Sequence, residues 1–143
     1  MSDYADTSFL ISLYLSDAHS IVAARIMSSK PTLFLTPLGE LELANALELA
    51  AFRTQASAEA LKLARATLRR DVADGVYSLQ AMPITVYEQA KRIAQKRSAR
   101  FGTRSLDILH VASALLLQAR TFYTFDDRQR RLAHVEGLAS PRL

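Results

Sequence analysis

Hydrophobic positions along the chain follow two patterns, short continuous apolar runs and longer segments with helical spacing. The runs predict buried strands, and the periodic segments predict helices. The predicted strands cover residues 3–5, 33–35 and 120–125, with a final edge strand at 138–140 and an ambiguous extended or irregular segment at 76–82. The predicted helices run from residues 6–8 to 15 and over 17–29, 38–53, 58–72, 85–101, 105–117 and 128–135.

Several helix ends carry local signals. Thr36 followed by Pro37 is typical of an N-cap with proline at the first helical position. Thr85 and Glu88 have the spacing of a capping box, and Gly102 is placed to end the helix that they begin. Short strands separated by helices predict an α/β sandwich with a mainly parallel sheet. A chain of 143 residues is expected to form one domain, residues 1–143.

The segment 105–117 is apolar on nearly all sides, which is typical of a helix inside a core. Its first turn nevertheless carries Asp107, with His110 one turn later on the same side. Because an unpaired buried charge is costly, Asp107 requires a cation, a hydrogen-bond network or a metal. For His110, a hydrogen bond to a core neighbour is the favoured role over a direct catalytic one.

Other acids follow predicted strands or lie on an apolar helix. Asp6 and Asp126 come directly after strands, and Glu40 and Glu42 lie on helix 38–53, which is so apolar that at least one of them is partly buried. The carboxyl ends of parallel strands share one edge of a sheet, where ligands collect. Clustered carboxylates repel one another unless cations neutralise them, and oxygen ligands favour Mg²⁺ or Mn²⁺.

Each acid also has a structural explanation when it is taken alone. Asp6 suits an N-cap, Asp126 and its neighbour Asp127 suit a turn or cap, and Asp107 suits the positive end of a helix dipole. Thr124 lies on the same side of its strand as Asp126, where its hydroxyl would orient an acid or a metal-bound water, or simply favour the strand.

The charge and composition narrow the function further. A formal net charge of +4 modestly favours a polyanionic partner. Residues 91–104 contain no acid, and this run predicts either a phosphate-contacting rim or a solvated helix face. The candidate contacts to nucleic-acid phosphates are Lys96, Arg97, Arg100 and Arg104. The absence of cysteine excludes disulfides and thiolate metal sites, and no secretory or membrane-spanning pattern is present, so a cytoplasmic protein is expected.

Together these motifs resemble the PIN domain, and more narrowly the ribonuclease toxins of bacterial VapBC-type toxin–antitoxin systems. The matching pieces occur in order over essentially the whole chain: Asp6-Thr7-Ser8, Thr36 with Glu42 six positions later, residues 105–114, and Thr124-Phe125-Asp126. Leu106, where many relatives carry proline, is a small departure that does not affect the acids.

The resemblance implies a three-layer α/β/α fold and a metal-dependent endoribonuclease. Its catalytic and metal-binding acids would be Asp6, Glu42, Asp107 and Asp126, with supporting roles for Ser8, Glu40, Thr124 and His110. The offset from Thr36 favours Glu42 over Glu40 as the helix acid. It further implies Mg²⁺ or Mn²⁺, an RNA substrate, a homodimer, and a cognate VapB-like antitoxin.

Three other functions are alternatives to the nuclease. A haloacid-dehalogenase-like phosphatase requires a second aspartate where this chain has Ser8, and a receiver domain requires paired acids and a lysine that are missing here. A non-catalytic PIN-like module that binds RNA or protein stays open. Four intact acids argue against it.

Overall fold

A computed structural model describes residues 1–143 and shows four short strands and seven helices. The strands are β1 (Asp3–Ala5), β2 (Leu33–Leu35), β3 (Tyr77–Leu79) and β4 (Phe122–Tyr123). The helices are α1 (Thr7–Tyr14), α2 (Ser20–Met27), α3 (Pro37–Phe52), α4 (Ala58–Ala73), α5 (Val86–Phe101), α6 (Ser105–Leu116) and α7 (Asp127–Val135). None of these helices has the length and apolar character needed to cross a membrane.

The strands form one parallel sheet in the order β3-β2-β1-β4, with helices on both faces. On one face, Ala5 of β1 packs in a core with residues of α1, α2 and α3. On the other face, Tyr4 packs with residues of α5, α6 and α7. Adjacent residues of a strand point to opposite faces, so β1 contributes to both cores. The predicted three-layer α/β/α fold with a parallel sheet is confirmed.

Local capping explains where two helices begin or end. The Thr36 hydroxyl accepts a hydrogen bond from the Gly39 amide at 3.3 Å, and Pro37 occupies the first turn of α3. Gly102 ends α5 in the left-handed conformation, with φ of 61°. Both signals were predicted from the sequence.

Helix α2 differs from the prediction in where it begins, and helix α5 differs in how its first turn is capped. Helix α2 begins at Ser20 and not at residue 17, because the Asp17 carboxylate accepts a hydrogen bond from the His19 amide at 2.7 Å and holds a turn ahead of the helix. Helix α5 begins where predicted, but the Thr85 side chain makes no capping hydrogen bond. The predicted capping box was therefore wrong. The chain instead enters α5 through a turn in which the Val86 amide donates to the Pro83 carbonyl.

The last strands are shorter than the sequence predicts. Strand β4 contains two residues, because the Phe125 amide donates to the Ser8 hydroxyl at 2.9 Å and so leaves the strand ladder. The predicted strand 138–140 is reduced to a single parallel bridge between Ala139 and Thr121. The ambiguous segment 76–82 contains the edge strand β3.

Candidate active site

A polar pocket of about 120 Å³ opens at the carboxyl ends of β1, β2 and β4, and no hydrophobic side chain lines it. Its nine lining residues come from α1, α3, α6 and α7 and the segments before them: Asp6, Thr7, Ser8, Glu42, Arg104, Asp107, His110, Asp126 and Gln129. All four predicted acids are among them. The sheet topology therefore brings together carboxylates that lie up to 120 residues apart in the sequence.

Asp6 is the most deeply buried of the four acids, at 2% exposure. It follows β1 and caps α1 by accepting a hydrogen bond from the Phe9 amide at 3.1 Å. The hydroxyls of Ser8 and Thr124 donate to its two carboxylate oxygens at 2.6 Å and 2.5 Å. Burial raises the pKa of Asp6 above its usual range, although these hydrogen bonds oppose the shift. Asp6 therefore caps α1 and lines the pocket with the same side chain.

Glu42 projects from α3 into the pocket and is only partly buried. It accepts hydrogen bonds from the Thr7 hydroxyl at 3.2 Å and from Nε2 of His110. Burial by itself would raise the pKa of Glu42, but the contacts with His110 and Thr7 outweigh it and hold the pKa below the usual value. Glu42 is therefore ionised at neutral pH.

His110 connects this carboxylate to the interior of the sheet. The ring is 1% exposed, and its Nδ1 atom lies 2.8 Å from the hydroxyl of buried Tyr4. Burial raises the pKa of Tyr4, so its hydroxyl stays protonated. Because the Glu42 carboxylate can only accept, Nε2 of His110 is the donor in that contact, and the Tyr4 hydroxyl is the partner of Nδ1. These contacts hold the imidazole ring and the Glu42 carboxylate in place.

Asp107 lies in the first turn of α6, with a side chain that is 18% exposed. The guanidinium of Arg104 donates to it across 3.1 Å and is itself 77% exposed. The same guanidinium is attracted, more weakly, by Asp126 and Glu42, and its pKa is raised mainly by the hydrogen bond to Asp107. Arg104 is therefore a cation that faces the acids and is free to move toward solvent.

Asp126 follows β4 and caps α7 by accepting from the Gln129 amide at 3.0 Å. Its own amide donates to the Thr124 hydroxyl at 3.0 Å. Thr124 thus bridges two of the acids, because the same hydroxyl donates to Asp6. The next residue, Asp127, lies outside the acidic pocket and pairs with Arg130 and Arg131.

The structure separates Glu40 from Glu42. Glu40 is exposed and faces a different cleft between α3 and α4, beside Leu68 and Arg69. Positions two residues apart on a helix differ by about 200° around its axis, so only one of these glutamates can face the acids. That glutamate is Glu42.

A family model for the PIN domain matches residues 4–135, which is most of the chain. The chain belongs to the PIN-domain family. This membership supports a nuclease, and hence a hydrolase, in general terms. A search of curated protein sequences found no match.

Solved structures with a similar fold include the following two. VapC20 of Mycobacterium tuberculosis, described as a sarcin-ricin loop cleaving toxin, is similar with a TM-score of 0.72 and 22% identity, over 99% of this chain and 100% of that one. PAE2754 from Pyrobaculum aerophilum is similar with a TM-score of 0.66 and 17% identity, over 97% of this chain and 83% of that one.

The donor set of the PIN-domain pocket suits a hard divalent cation. All four carboxylates offer oxygen ligands, and the pocket has room for an ion with several of its waters. No three acidic or histidine side chains are arranged so that all would contact a single ion. Mg²⁺ commonly binds through one or two carboxylates and retains water on its other positions, so the residues fit such an ion.

The predicted basic rim divides into different roles. Arg97 donates to Glu136 at 2.8 Å and to the Val135 carbonyl at 3.1 Å, so it joins α5 to the end of α7. Lys96 and Arg100 are exposed and have no acidic partner, and Arg104 alone lines the pocket. Of these four residues, Arg97 is the least suited to contact a phosphate, because its guanidinium is already engaged by Glu136.

Three residues of the site were not predicted from the sequence: Tyr4, Thr7 and Gln129. Thr7 was visible only as part of the Asp6-Thr7-Ser8 triplet. Gln129 lies three positions after Asp126, and its side chain donates to the Asp107 carbonyl at 3.3 Å. The three-residue spacing of a helix cap indicated that the Gln129 amide contacts Asp126, but it gave no sign of the contact made by the Gln129 side chain. No signal in the sequence linked Tyr4 to His110.

Proposed function

We propose that residues 1–143 form a single PIN domain that hydrolyses RNA phosphodiester bonds with Mg²⁺ or Mn²⁺ held in the acidic pocket. The observation that carries this proposal is the convergence of Asp6, Glu42, Asp107 and Asp126 on one pocket without a hydrophobic lining residue. Family membership over residues 4–135 supports the same chemistry.

Asp6 and Asp107 are the proposed direct metal ligands, with Glu42 and Asp126 binding directly or through water. A bound divalent ion would lower the pKa of a coordinated water and stabilise negative charge on the phosphoryl oxygens. Ser8 and Thr124 hold Asp6 in place, and His110 holds Glu42. Glu42 or Asp126 would accept the proton of the attacking water.

Arg104 has a second proposed role. Arg104 balances part of the negative charge of the acids in the structure, and a bound metal ion would take over that role. Arg104 is largely exposed, so it would then turn toward a phosphate of the RNA. Lys96 and Arg100 would contact phosphates farther along the strand.

The biological role that we propose is that of a cytoplasmic toxin restrained by a small VapB-like antitoxin and acting as a homodimer. Its support is the sequence resemblance together with the similarity in fold to VapC20, which is itself a toxin that cleaves the sarcin-ricin loop. The RNA target of this chain would depend on the shape and charge of its own surface.

The decisive experiment is cleavage of a structured RNA pool by the purified protein with Mg²⁺ or Mn²⁺, with EDTA, and with the Asp107→Asn variant. We expect cutting that requires the metal and is lost in the variant. The matched control is Glu40→Gln, which removes an acid outside the pocket and should cleave normally. Metal-independent RNA binding without cutting would instead favour the non-catalytic module, and cutting by Asp107→Asn would show that the site is wrongly placed.

A further inference from the structure

Four aromatic rings form a continuous stack that runs from the core to the surface beside the acidic pocket. Phe9 stacks on Tyr123, with ring centroids 5.4 Å apart, and on Phe125, with centroids 5.5 Å apart. Phe125 in turn stacks on His19, with centroids 4.2 Å apart and an angle of 13° between the rings. Phe9 is fully buried whereas His19 is exposed, so the stack ends in a solvent-facing imidazole.

The exposed end of the stack borders a cleft of about 180 Å³. His19 and Phe125 line one part of this cleft, and Arg130 and Arg142 line another. Asp126 and Thr124 also line it. Because Asp126 is shared with the acidic pocket, the cleft lies immediately next to the proposed position of bond cleavage.

Two guanidinium groups, of Arg130 and Arg142, and two carboxylates, of Asp126 and Asp127, line this cleft, and Arg142 is the cation left available to a phosphate. Asp127 is already engaged by Arg130 at 2.7 Å and by Arg131 at 3.3 Å. Arg142 is exposed and forms no ion pair. A free guanidinium beside an exposed ring is the combination that binds single-stranded nucleic acid, in which bases stack and phosphates meet cations.

From this geometry we infer that the cleft is a nucleotide subsite for single-stranded RNA. The base of a nucleotide next to the cleaved phosphate stacks on the outer face of His19 and extends the existing stack, while Arg142 contacts its phosphate. The inference rests on the proposed nuclease function, because RNA is the ligand in both. A planar ring at this position reads the base by shape and stacking, so it tolerates more than one base.

The subsite is tested by fluorescence anisotropy with a short labelled single-stranded RNA, in an Asp107→Asn background with Mg²⁺ present. We expect His19→Ala to weaken binding by about tenfold, the loss typical of one stacking contact. His19→Phe retains a stacking ring and should bind nearly as well as the parent. Arg142→Gln should weaken binding and reduce its salt dependence by about one phosphate contact.

Tyr87→Ala is the matched control, because it removes an exposed ring from α5, outside both pockets. Unchanged affinity in His19→Ala, or a loss in His19→Phe as large as that in His19→Ala, would overturn the subsite. Cleavage by the otherwise native protein separates the two proposals. A cleaving protein whose His19→Ala variant binds RNA normally refutes the subsite alone. RNA binding that depends on His19 without any cleavage supports the subsite and refutes the nuclease. Absence of both RNA binding and cleavage refutes both proposals.

Discussion

Removing one hydroxyl group, by Tyr4→Phe, tests the connection between the sheet and the acidic pocket. The Tyr4 hydroxyl lies 2.8 Å from Nδ1 of His110, and both side chains are 1% exposed. Phenylalanine preserves the ring, which stacks on Phe122 with centroids 5.5 Å apart. The substitution therefore removes a hydrogen bond while it leaves the packing of the aromatic core almost unchanged.

The expected cost follows from burial. Without the hydroxyl, Nδ1 of His110 is a buried polar atom with no partner, and such an atom costs about 1–3 kcal/mol of unfolding free energy. With a urea m-value of about 2 kcal/mol per molar, the midpoint of unfolding should fall by roughly 0.5–1.5 M. The slope should not change, because the surface exposed on unfolding is the same.

Urea titration followed by circular dichroism measures this midpoint in the metal-free protein. Tyr87→Phe is the control, since Tyr87 is 71% exposed and its hydroxyl should contribute less than about 0.5 kcal/mol. If Tyr4→Phe unfolds at the same urea concentration as the parent, the hydroxyl does not support His110. The role of His110 in holding Glu42 would then lose its structural basis.

Two further predictions concern the metal and the pH dependence. Arg104→Ala should tighten Mn²⁺ binding by up to about fivefold in calorimetry without RNA, because the exposed guanidinium of Arg104 no longer competes with the metal for Asp107. The control variant Lys96→Ala should bind Mn²⁺ as the parent does. Weaker Mn²⁺ binding in Arg104→Ala would contradict this competition. Asp6→Asn should abolish metal-dependent cleavage yet raise the melting temperature at pH 8 without metal. Burial raises the pKa of Asp6 in the folded state, so the folded protein binds more protons than the unfolded chain, and stability falls as pH rises between the two pKa values. The increase in melting temperature of Asp6→Asn over the parent should therefore shrink as the pH is lowered through the raised pKa of Asp6. A melting temperature of Asp6→Asn below that of the parent at pH 8 would contradict the raised pKa.

Much of the fold could be predicted because its signals are local. The helical spacing of apolar residues, the Thr36-Pro37 start of α3 and the glycine end of α5 depend on residues within one or two turns. One prediction failed because a distant side chain replaces a local hydrogen bond. Strand β4 ends early because the hydroxyl of Ser8, more than a hundred residues away, accepts from the Phe125 amide.

The sequence by itself determined which acids follow strands, and parallel topology then placed their carboxylates at one edge of the sheet. The family resemblance favoured Glu42 over Glu40, and the tertiary structure shows why only Glu42 joins them, because helix packing orients Glu42 inward and Glu40 outward. It also paired His110 with Glu42 and with Tyr4, 68 and 106 residues away. Local periodicity encodes elements and their ends, whereas contacts between elements depend on how the layers pack, and that packing is a property of the whole chain.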